Sequence, residues 1–198
     1  MRSGLRICAL ALSFACGACG QPLPPPVARS VPSLETDDLS VMKGVLDDVR
    51  QRRGAGRFLV VDTTTAVCEG KVDLFGAPPG GCLSPKSVDS VSKVLEPGRS
   101  RIATLDFEAR NASRLPIAGT LGPDVTYISG TLTDFVSMRD LLAQHPGSAV
   151  VTFSAPSYPA PRVAVMIYRV RDAENGAVRL EQQADGRWTV ADRYGAME

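Results

Sequence analysis

The chain has 198 residues, with 22 lysines and arginines against 21 aspartates and glutamates and a formal net charge of +1. A near-neutral balance of this kind supplies no basic footprint for nucleic acid and no polyacidic tail. The length left after an N-terminal leader is enough for one hydrophobic core and short for two.

The first residues read as an export signal. Arg2 and Arg6 form a basic start, Ile7 to Leu12 is an apolar run, and Ala15-Cys16-Gly17-Ala18-Cys19-Gly20 supplies small residues, the layout of a cleavable signal peptide. The apolar run is far shorter than the roughly 20 residues that a permanent spanning helix requires. Residues 1–18 are therefore expected to be removed. The small-residue segment resembles the lipobox of bacterial lipoproteins, with Cys19 as the first candidate for lipid attachment and Cys16 as the second. Neither has the leucine usual three positions upstream, so cleavage to a secreted, unlipidated product is the other reading. Residues 19–35, rich in proline and small side chains from Gln21 to Ser33, read as an extended tether. Residues 36–198 are expected to form a single domain.

Of five cysteines, Cys8, Cys16 and Cys19 fall in the leader region. Cys68 and Cys82 remain, an even pair suited to a disulfide in an oxidising compartment. The glycine- and proline-rich loop between them would gain on the order of 3 kcal/mol from closure. With His145 as the chain's single histidine, no metal set is expected, and no cofactor motif is present.

The first helix is predicted from Asp37 to Arg53, capped by Thr36, with Leu39, Met42, Leu46 and Val49 at helical spacing and Gly54 and Gly56 ending it. Asp37 and Asp38 suit the positive end of its dipole, and Arg50, Arg52 and Arg53 the negative end. That placement accounts for most of what otherwise looks like a cationic patch. Arg57 to Thr65 reads as a strand. A helix is expected from Ser84-Pro85 to Leu95, closed by Pro97-Gly98. Another is expected from Arg101 to Arg110, with Ile102, Leu105 and Ala109 on its apolar side. Val125 to Ser129 fits a short strand. Leu132 to Gln144 fits a helix capped by Thr133 and ended before Pro146.

The last third patterns most clearly. Ser148 to Ser154 and Arg162 to Val170 read as strands, Asn175-Gly176 as a turn, and Asp185-Gly186 as a hairpin turn between alternating segments that include Val178, Leu180, Trp188 and Val190. The fold class expected is α+β, with N-terminal helices packed on a C-terminal three- to four-stranded antiparallel sheet.

Across residues 101–194 the layout Pro146-Gly147-Ser148, Phe153-Ser154, Val163 to Tyr168 and Gly186-Arg187-Trp188-Thr189-Val190 resembles an uncharacterised group of bacterial exported proteins and lipoproteins. The resemblance implies envelope localisation and a C-terminal antiparallel meander, and implies no activity.

Chemistry-bearing residues are sparse. Ser154 is not in a Gly-x-Ser-x-Gly elbow, and His145 stands at a helix end. Together they are the candidates for a small hydrolase site, and that is the alternative function. Asp62 ends an apolar strand without a second carboxylate at a suitable spacing. Tyr168 and Trp188 sit in patterned strands, where packing is their expected role. Gly76 to Gly81 lacks the lysine and hydroxyl of a phosphate loop, and Asn111-Ala112-Ser113 matches a glycosylation acceptor. The favoured function is a non-enzymatic envelope module, held to the membrane by a lipid. It would bind a protein or small ligand through an exposed sheet face or the Cys68 to Cys82 loop.

Overall fold

A computed structural model describes residues 33–67, 82–95, 100–129 and 135–197, all within one compact unit, Pro32–Glu198. The leader with Cys16 and Cys19, most of the tether, Cys68, the Gly76 to Gly81 stretch and the Thr133 cap lie outside the described residues. Helix α1 spans Thr36–Arg53, and its N-cap is Glu35 rather than Thr36, which is the first helical residue. The Asp38 carboxylate accepts the Glu35 backbone N–H at 2.8 Å, tying off a donor that the first turn leaves unpaired. Gly54 ends the helix in the left-handed region, φ 66°, and its N–H returns to the Arg50 carbonyl. Val41, Met42, Val45, Leu46 and Val49 are buried along one side.

The remaining elements are β1 Arg57–Val61, β2 Ala66–Val67, β3 Cys82–Leu83, α2 Pro85–Lys93, α3 Ser100–Arg110, β4 Val125–Ile128, α4 Phe135–Gln144, β5 Ser148–Phe153, β6 Ser157–Ala160, β7 Val163–Val170, β8 Glu174–Gln182 and β9 Trp188–Met197. Seven of these strands make one mixed sheet in the order β4-β1-β5-β7-β8-β9, with β6 beside β7, while β2 and β3 pair separately. The α+β class stands, but the expected three- to four-stranded antiparallel sheet is overturned. Strand β1 runs parallel to both β4 and β5, Leu59 facing Thr126 on one side and Val150 on the other. The pairings β5-β7, β6-β7, β7-β8 and β8-β9 are antiparallel. Parallel neighbours are joined by long crossovers and leave no turn signal between them, so the local patterning shows the hairpins and hides β1's partners.

Both faces of the sheet are covered. On one, α1 packs against Phe58, Val60, Val151, Phe153, Ala164, Met166, Tyr168, Val178, Leu180 and Trp188. On the other, Val88, Val91, Val94 and Phe107 of the α2–α3 layer cover Val165, Ile167 and Ala177. Met138 of α4 covers Leu59, Ile128 and Val150 on that same side. Strand β7 is buried from both directions, which is why it reads as an almost unbroken apolar run rather than an alternation.

Three further expectations change. Helix α3 buries Ala103 and Phe107, and leaves Ile102 72% and Leu105 56% exposed; the wide aromatic Phe107 gains more from burial than the Ile102 side of the helix. Asn175-Gly176 is no turn, because β8 starts at Glu174. The reversal lies at Arg171 to Ala173, where Asp172 takes φ 56°. Glycine at 176 instead permits close approach to β9, since a Cβ there would lie 2.6 Å from the Tyr194 carbonyl oxygen. Strand β6, interrupted by Pro159, was missed because proline within a short run argues against a strand except at an edge.

Candidate functional site

Several of the residues singled out from the sequence lie among the described residues and make internal contacts. Ser154 is fully buried; its hydroxyl accepts the Ile167 N–H at 2.8 Å and donates weakly to the Ala155 carbonyl. His145 closes α4, its backbone N–H reaching the Leu141 carbonyl. The six-residue strand β5 lies between them, which places them about 20 Å apart at its opposite ends. They form no dyad. Asp62 continues β1, its N–H bonded to the Ile128 carbonyl and its carbonyl to the Ile117 N–H. The Asn111 amide is buried, donating to the Phe107 and Ala155 carbonyls and accepting the Ala155 N–H, so it is closed to modification in the folded state. The arginines at the end of α1 are engaged in ion pairs, Arg50 with Asp47 and Asp124, Arg52 with Asp48 and Glu174, and Arg53 with Glu174.

Two buried carboxylates anchor α1. Asp38 accepts from Glu35 N–H, from Arg110 Nη2 at 2.6 Å and from the Tyr158 hydroxyl at 2.9 Å. Burial, together with the Asp38 charge, pushes the Tyr158 phenol up from its ordinary value. Glu174 takes both Arg52 Nη atoms, at 2.8 and 2.9 Å. Burial alone would raise its pKa, but these bonds hold it below the usual carboxylate range. Burial pushes the neighbouring Tyr168 hydroxyl up to about 12. Each carboxylate ties the helix to sheet or loop.

A cleft of about 610 Å³ lies between α1 and the β8–β9 hairpin. One wall is Ser40, Lys43, Gly44, Asp47, Asp48 and Gln51; their three- and four-residue spacing puts them on one face of the helix, opposite its apolar stripe. The other wall runs from Asp185 to Val190. Gly44 lets the two approach, because a Cβ on it would sit 2.5 Å from the Trp188 carbonyl oxygen. The Trp188 side chain is tilted against Tyr158, ring centroids 6.0 Å apart. It is only 6% exposed, and its indole N–H has no hydrogen-bond partner among the described residues. A buried donor left unpaired costs about 1–3 kcal/mol.

Charge in the cleft is unevenly satisfied. Asp47 pairs with Arg50, and Asp48 with Arg52 and Arg193. Asp185 accepts the Arg187 backbone N–H and its Nε, and these bonds hold its carboxyl below the usual range. Lys43 is exposed and has no ion-pair partner among the described residues. The cleft thus offers one uncompensated positive charge, a polar helix face and the beginning of a strand. Nothing in the sequence reading picked out Lys43, Gly44 or the aspartates. The available signal was a glycine inside an otherwise helical pattern, which usually marks a close packing contact.

Among the described residues no three His, Cys, Asp or Glu side chains converge as metal ligands, and no helix is long and apolar enough to cross a membrane. Comparison with known protein families, curated proteins and solved structures finds no match to this chain.

Proposed function

We propose that the chain is an exported bacterial envelope protein, anchored by lipid on Cys19, whose α+β domain is a binding module that works through the cleft between α1 and β9. The carrying observation is the order of the N-terminal sequence: basic residues, a short apolar run, then small residues directly before Cys19. Two further points support it. A proline-rich stretch of sequence separates Cys19 from the helix capped at Glu35. The Ser154 hydroxyl is buried, occupied and remote from His145, which favours binding over hydrolysis. The export route also carries a disulfide between Cys68 and Cys82. Its support is the cysteine count: these are the two cysteines outside the leader region.

Fractionation of producing cells tests the anchor. The wild-type protein is expected to sediment with membranes and to need detergent for release, and Cys19→Ala is expected to leave it in the soluble fraction. Wild-type protein found soluble, or a Cys19→Ala variant that still sediments, would contradict the anchor.

A further inference from the structure

We draw no further inference here: the strongest candidate, the polar cleft between α1 and β9, belongs to the site already described, and nothing in the structure shows what covers it, since Gly44 closes the Trp188 edge and Asp47, Asp48 and Asp185 are each paired with an arginine of the same chain.

Discussion

Replacing Asp38 with asparagine keeps the shape of a buried side chain and removes the charge on which three elements converge. One oxygen survives and can still accept the Tyr158 hydroxyl. The amide nitrogen then stands where Oδ2 received both the Glu35 N–H and Arg110 Nη2, so donor faces donor. A lost charge-assisted hydrogen bond costs about 1.5–3 kcal/mol, and a lost helix N-terminal contact about 1 kcal/mol. Arg110 keeps 30% of its side chain exposed, and water screens part of its loss. The expected destabilisation is therefore about 3 kcal/mol, equivalent to a fall in Tm of about 6–12 °C for a domain of this size. Urea unfolding followed by Trp188 emission measures it, and a double-mutant cycle with Arg110→Met isolates the pair. A loss below about 1 kcal/mol, or a cycle without coupling, would refute the claim that Asp38 fastens α1 to the rest of the domain.

Gly44→Val should destabilise by about 1–3 kcal/mol despite valine's better helix propensity, because the new side chain meets the Trp188 carbonyl; a more stable variant in thermal unfolding would show that α1 does not abut β9 there. On α3, Ile102→Lys should change stability by no more than about 0.5 kcal/mol, whereas Phe107→Ala should cost about 3–5 kcal/mol. The reverse order in chemical denaturation would restore the apolar face read from the sequence. Glu174 titrates lower in the folded state than in the unfolded one, so its contribution is present above the unfolded carboxylate value of about 4.3 and is lost as pH falls through the folded value. Glu174→Gln should flatten the pH dependence of unfolding free energy in that acid range, and an unchanged slope would count against the Arg52 bond as its source.

How far the sequence revealed the fold depended on how local each signal was. The start and end of α1, the strand β1 and the Asp185-Gly186 hairpin follow from neighbouring residues, and the structure places all of them close to their expected positions. The parallel flanking of β1 by β4 and β5 depends on segments far apart in the chain, and no local pattern encodes it. Asn175-Gly176 misled because glycine serves two needs, a left-handed turn and a close backbone approach, and here the second applies. Helix α3 misled because apolar residues occur on two of its sides, and only the packing partner decides which is buried. The site was less legible still. Lys43, Asp47, Asp48 and Trp188 meet only because β9 folds back along α1, and read alone each is an ordinary helix-surface or strand residue.

Mass spectrometry of the N-terminal peptide from membrane-purified protein tests the anchored-module account most directly. An anchored protein lacks residues 1–18 and begins at a lipid-modified Cys19. A chain that retains the leader, or a cleaved chain whose first residue carries no lipid, would contradict it.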